Sequence, residues 1–157
     1  MRILGIDPGT GITGFGVIDT DNPHDVRFVD AGVIRTAPKT PQPERLQEIH
    51  ELITELIHEF KPQRLSIEKL FFSQNITTAM TVSEARGVVL QVAQSNGLDI
   101  YEYTPLQIKQ AITGYGKAEK IQVQEMVKVI LKLKSIPKPD DAADGLAAAI
   151  THAFHVG

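Results

Sequence analysis

Cysteine is absent from all 157 residues. Its absence removes disulfides, a thiolate nucleophile and any zinc site built on cysteine. No apolar run approaches the roughly 20 residues of a membrane-spanning helix. The N-terminus has no charged segment leading into a long apolar stretch, so a secretory leader is not expected. Internal repeats, low-complexity tracts and a domain linker are missing as well. What remains is an ordinary globular composition, 42% hydrophobic and 22% charged. A chain of this length can bury about two-thirds of its unfolded surface in one core. We therefore expect a single domain over residues 1–157, cytoplasmic and without membrane contact.

Positive charge is in short supply overall, with a formal net charge of −3. It is also unevenly spread. Between Lys109 and Lys138 lie seven of the sixteen basic residues against two acids, Glu119 and Glu125, which makes that segment about +5 and the rest about −8. A basic zone on an acidic body lets a protein grip phosphates while keeping carboxylates for metal ions.

Hydrophobic periodicity gives strands over 3–7, 12–19 and 26–35, a helix over 44–60, a strand over 64–68 and a helix over about 74–95. A strand over 99–103, helices over 105–111 and 118–132 and a last helix over 141–154 complete the order. The close spacing of the first three strands predicts an antiparallel meander. The alternation that follows predicts crossover connections and a parallel continuation of the sheet. In the helix around Ser83–Ala93, Val82, Ala85, Val89 and Val92 share one face, and Val88 and small residues lie on another. A helix apolar over more than one stripe is a buried central helix or carries a subunit interface.

The first strand ends in an acid and a tight turn, Ile6-Asp7-Pro8-Gly9. Buried and ionised, Asp7 costs several kcal/mol unless a cation or a donor answers it. Metal-dependent nucleases use such an acid, and so do ATPases whose glycine turn cradles phosphates. The motif alone leaves both open. Glu68 at the end of the fourth strand and Asp141 with Asp144 in the last helix supply what a metal site needs. Asp141 and Asp144 are three apart and share a helix face. Asp140 offers a second pairing with Asp144. Hard oxygen ligands suit Mg²⁺, and two ions about 3.5–4 Å apart polarise a phosphodiester for hydrolysis. His152 is too far along the last helix to join them, about 16 Å from Asp141.

Several blocks occur in order: Gly5-Ile6-Asp7-Pro8-Gly9-Thr10 with Thr13-Gly14-Phe15-Gly16, then Ile67-Glu68-Lys69-Leu70-Phe71 and Glu84-Ala85-Arg86-Gly87. Gln107-Ile108-Lys109-Gln110, Gly114-Tyr115-Gly116-Lys117-Ala118-Glu119-Lys120 and Asp141-Ala142-Ala143-Asp144-Gly145 follow. Together they resemble the RuvC family of bacterial Holliday-junction resolvases over nearly the whole chain. The resemblance implies a ribonuclease H-like α/β fold, a mixed five-stranded sheet flanked by helices. It implies a homodimeric, Mg²⁺-dependent endodeoxyribonuclease, with Mn²⁺ as a substitute and two ions per site. Such enzymes resolve four-way DNA junctions by symmetric nicks in recombination and repair, and work with the RuvA–RuvB branch-migration complex. The catalytic and metal-binding tetrad carries over to Asp7, Glu68, Asp141 and Asp144. Phe71, Lys109, Lys117 and Lys120 fall on DNA-binding positions, with Phe71 stacking on unpaired bases. A nucleotide-binding module of the actin and sugar-kinase type would need a second phosphate loop, for which 157 residues leave no room. A junction-binding protein without catalysis, or a related nuclease acting on RNA, are the other readings.

Overall fold

In the computed structural model, residues 1–9, 11–69 and 76–156 are described. Strands β1 (Arg2–Asp7), β2 (Ile12–Asn22) and β3 (Asp25–Arg35) lead into α1 (Gln42–Phe60), β4 (Arg64–Glu68) and α2 (Ile76–Ser95). Strand β5 (Asp99–Tyr103) and helices α3 (Pro105–Thr113), α4 (Lys120–Ile130) and α5 (Asp140–His155) follow. The five strands form one sheet in the order β3-β2-β1-β4-β5. The β1–β2 and β2–β3 pairs are antiparallel, and β1–β4 and β4–β5 are parallel. This is the mixed sheet expected from the sequence, and the element boundaries move by three residues or fewer.

Period-two alternation sends Leu4, Ile6, Phe15 and Val17 to one face, where they pack with Ile49, Ile53 and Ile57 of α1 and Val89 and Val92 of α2. Ile3 and Ile18 point to the other face, against Ile108, Val127, Leu146 and Ile150 of α3, α4 and α5. On that second face the neighbouring strand positions are glycines, including Gly14 and Gly16. The absent side chains let α5 lie almost on the sheet backbone. A Cβ on Gly14 would fall inside the contact radius of the Asp141 carbonyl oxygen, and one on Gly145 would lie 2.5 Å from the Phe15 carbonyl carbon. The buried Ser66 hydroxyl donates to the Ala148 carbonyl at 2.6 Å and ties the same helix to β4.

Of the two readings of α2, the helix buried on all sides is not what the structure shows. Ala79, Val82, Ala85, Val89 and Val92 are buried, but Ile76 and Met80 are exposed at 70% and 62%. Among the described residues one face of this helix is packed, and Ile76 and Met80 lie exposed away from it. Small residues made the stripe look wider in sequence than the packing surface is.

His152 lies in the core, 1% exposed. Its ring stacks on Tyr101 at 4.1 Å between centroids. The Arg64 guanidinium, which can only donate, lies 3.0 Å from Nε2, so Nδ1 carries the proton and donates to the Tyr103 hydroxyl at 2.7 Å. Burial, then the charges of Arg64 and His155, push the His152 pKa down to about 4. The neutral ring belongs to the folded state, whereas the unfolded chain takes up a proton near pH 6.5. Stability is therefore lost as pH falls from about 6.5 toward 4, on the order of 2 kcal/mol at pH 5. Other groups titrate over the same range, so the comparison that isolates this contribution is between proteins. In urea melts, lowering the pH from 7 to 5 should destabilise the wild type relative to His152→Gln by about 2 kcal/mol.

Candidate active site

Four carboxylates are delivered to one end of the sheet by three strands or helices. Asp7 is the last residue of β1, and Glu68 is the last residue of β4. The parallel register Ile6↔Ile67 brings these two strand ends side by side. The glycine-permitted approach of α5 then sets its first turns over the strand ends. One carboxylate oxygen from each of Asp7, Asp141 and Asp144 lies within 4.8 Å of the others. Asp140 is exposed and outside this trio. The helix periodicity therefore selects the Asp141/Asp144 pairing over Asp140/Asp144.

The electrostatics are those of acids lacking enough positive charge. Burial, then a hydrogen bond to Glu68 and the charge of Glu68, push Asp7 up to about 9. In the metal-free state an acid raised this far is protonated at neutral pH. Burial and the charge of Asp7 raise Asp144 to about 6, with Lys120 opposing. The Lys120 ammonium is 3.5 Å from Asp144, and that carboxylate raises its own pKa. One lysine at the rim is too little for three or four acids. Hard oxygen donors crowded at this spacing fit a divalent cation such as Mg²⁺.

A cleft of about 310 Å³ opens over these acids. Asp7, Glu68, Asp144, Lys109 and Lys120 line it, with an apolar wall from Ile108, Val123 and Ala147. The capping box of Thr104 and Gln107 fixes the start of α3, from which Lys109 projects. Lys117 is exposed in the α3–α4 connection and is not among the residues lining the cleft. Phe71 and Phe72 lie outside the described residues.

Arg86 is a site residue that sequence reasoning assigned no role. Its Nε donates to the Glu68 backbone carbonyl at 3.3 Å, and its guanidinium pairs with Glu102 at 3.1 Å. It braces the strand end that carries Glu68. The Glu84-Ala85-Arg86-Gly87 block was visible, but nothing in its spacing says that Arg86 reaches across to β4.

The family model described as "Crossover junction endodeoxyribonuclease RuvC" matches residues 3–152. The chain belongs to the RuvC family. The crossover junction endodeoxyribonuclease RuvC of Brevibacillus brevis is 54% identical over 153 residues, which is 98% of this chain and 92% of that relative. A solved structure of RuvC from T. thermophilus in complex with a Holliday junction substrate matches with a TM-score of 0.93 at 40% identity, covering 99% of this chain and 94% of that one. The yeast mitochondrial Holliday junction resolvase Ydc2 is 15% identical, with a TM-score of 0.72 over 97% of this chain and 77% of its own, and shares the fold. The ribonuclease H-like architecture and the RuvC membership expected from the sequence motifs both stand.

Proposed function

We propose that the chain is a structure-specific endodeoxyribonuclease that resolves four-way Holliday junctions by hydrolysing phosphodiesters in two opposed strands. The observation that carries this reading is the convergence of carboxylates from β1 and α5 within 4.8 Å, at the floor of a cleft rimmed by lysines. The catalytic residues are Asp7, Glu68, Asp141 and Asp144, which would hold two Mg²⁺ ions, with Mn²⁺ as a substitute. Divalent ions bound there supply Lewis-acid polarisation of the phosphodiester and offset the charge that develops in the transition state. The chain's own groups bind and orient. Lys109 and Lys120 attract the strand into the cleft and hold its phosphate over the acids. Lys120 also keeps Asp144 ionised and ready as a ligand. Arg86 fixes the Glu68 backbone, so that carboxylate does not have to be ordered when the substrate arrives. Lys117 adds phosphate contact farther out, and Phe71 stacks on bases unpaired at the junction centre, worth about 1–3 kcal/mol per base.

A four-way junction offers two equivalent strands to cut, and a two-fold homodimer supplies two equivalent sites. The free α2 face with Ile76 and Met80 exposed supports the homodimer. Cytoplasmic action beside the RuvA–RuvB complex, by a single domain over residues 1–157, completes the reading.

A synthetic four-way junction and a linear duplex of the same sequence, each incubated with protein and Mg²⁺, test it. Paired nicks in the junction and an intact duplex are expected. Equal cutting of both, or of neither, would overturn it.

A further inference from the structure

A second cavity, of about 530 Å³, opens where β3 runs into α1, against Gly11 at the start of β2. Its polar lining is cationic and donor-rich. Arg35, Thr36 and Arg45 contribute to it, and none of its lining residues is acidic. Thr36 is 8% exposed, and its backbone N–H donates to the Gly11 carbonyl at 3.0 Å. Its hydroxyl is buried without a partner, and so is Nε of Arg45. Among the described residues the Arg45 guanidinium reaches the Ala37 carbonyl alone, at 3.5 Å. Three buried side-chain polar atoms among the described residues lack a hydrogen-bond partner, and two of them belong to residues of this cavity's wall. Leaving a buried donor unpaired costs about 1–3 kcal/mol. Two guanidinium side chains at one cavity, with an unpaired hydroxyl buried in its wall, call for an acceptor with several oxygens and negative charge.

The location says which anion. Arg35 pairs with Ile12 in the β2–β3 register, and Asp7 pairs with Gly14 in the β1–β2 register, so both lie at the same end of the sheet. One strand separates β3 from β1, which puts the cavity about 10 Å to the side of Asp7. Arg45 comes from α1 on one face of the sheet, whereas Lys109 and Lys120 come from α3 and α4 on the other. A strand lying over the acids is therefore met by cations from both faces.

We infer that this cavity is a second phosphate subsite, in which Arg35, Arg45 and the Thr36 hydroxyl hold a backbone phosphodiester of the bound DNA away from the scissile bond. The inference rests on the nuclease reading above. Its residues position the strand and do not touch the reacting atoms, so they act on binding more than on turnover.

Junction affinity measured without divalent metal across a salt series tests this, for the wild type, Arg35→Gln/Arg45→Gln and Thr36→Val. The double variant should bind about tenfold or more weakly near 0.1 M salt, and its log–log salt slope should fall by about 1. Its kcat at saturating junction in Mg²⁺ should stay within about twofold of wild type. Thr36→Val swaps a hydroxyl for a methyl of similar shape, so it keeps the test alive if the double variant folds poorly. It should weaken binding about threefold at unchanged Tm. Unchanged affinity and slope in a folded double variant, or unchanged affinity in Thr36→Val, would overturn the subsite. A thermal shift of the wild type by inorganic phosphate, with the DNA salt slope unchanged in the variants, would also overturn it and mark the cavity as a site for a free anion. Wild-type protein that binds junctions but cuts none would instead defeat the nuclease reading, without moving the salt slopes.

Discussion

Asp7→Asn is expected to reduce junction cleavage by at least about a thousandfold while the metal-free protein becomes more stable. The two effects have one cause. Asp7 lies in the acid cluster, where Asp141 and Asp144 approach it and the charge of Glu68 raises its pKa. An amide there removes one hard, charged ligand, and the remaining acids cannot hold the same ions in the same place. In the metal-free protein the carboxylate is a liability. Its folded-state pKa is pushed up to about 9, against about 3.8 when unfolded. Folding therefore takes up a proton between those values, and this group's contribution to stability falls as pH rises from about 4 to 9. The amide cannot ionise, so a penalty of a few kcal/mol at pH 7 is relieved. The Tm in EDTA should rise by several degrees. Mg²⁺ should raise the wild-type Tm and leave that of Asp7→Asn nearly unchanged, because only a ligand that binds the folded state stabilises it. Junction binding at low salt should persist in the variant. Wild-type cutting by Asp7→Asn, or a lower Tm in EDTA, would contradict the placement of Asp7 among the ligands.

Gly14→Ala is expected to cost both stability and activity, although residue 14 bears no reactive group. Its new methyl would collide with the Asp141 backbone carbonyl, which belongs to a helix and cannot turn aside like the end of a flexible side chain. Either β2 or α5 must move. Overpacking of this kind costs about 1–3 kcal/mol. The movement lifts Asp141 and Asp144 away from Asp7, and misplacement by about 1 Å can cost a hundredfold in rate. Thermal melts should show a Tm lower by several degrees. Cleavage at saturating junction should fall by about a hundredfold, with affinity in the absence of metal little changed. A variant with wild-type rate would mean that the helix-to-sheet spacing does not set the geometry of the acids.

The sheet was readable because its strands are short, apolar and bounded by turn residues, and because one-sided helices interrupt them. The four acids were readable because each sits at an element end. Chain order put Asp7 and Glu68 on strands that a right-handed crossover makes neighbours. The helix period put Asp141 and Asp144 on one face. Other features were not legible, for physical reasons. The fit of α5 depends on what Gly14 and Gly16 lack, and a missing side chain gives no periodic signal. Arg86, Arg35 and Arg45 act across elements distant in sequence, and a lone arginine on a helix or strand end reads as a solvated charge. His152 was separable from the metal site by distance along its helix, but its contacts with Arg64, Tyr101 and Tyr103 come from β4 and β5 and exist only once those strands pair. The exposed face of α2 was hidden because alanine, glycine and threonine count as small without saying whether anything covers them.

Strands β1 and β4 and helix α5 each carry part of the acid cluster. The ribosome makes them in that order, at about 5–20 residues per second. Asp7 therefore leaves the ribosome well before Asp141 and Asp144 exist. During that interval the nascent sheet carries two carboxylates at one edge and no cage. Docking of α5 against Gly14 and Gly16 both closes the core and assembles the cutting centre. A fragment ending before Asp140 lacks two of the four acids and is expected to be unarmed.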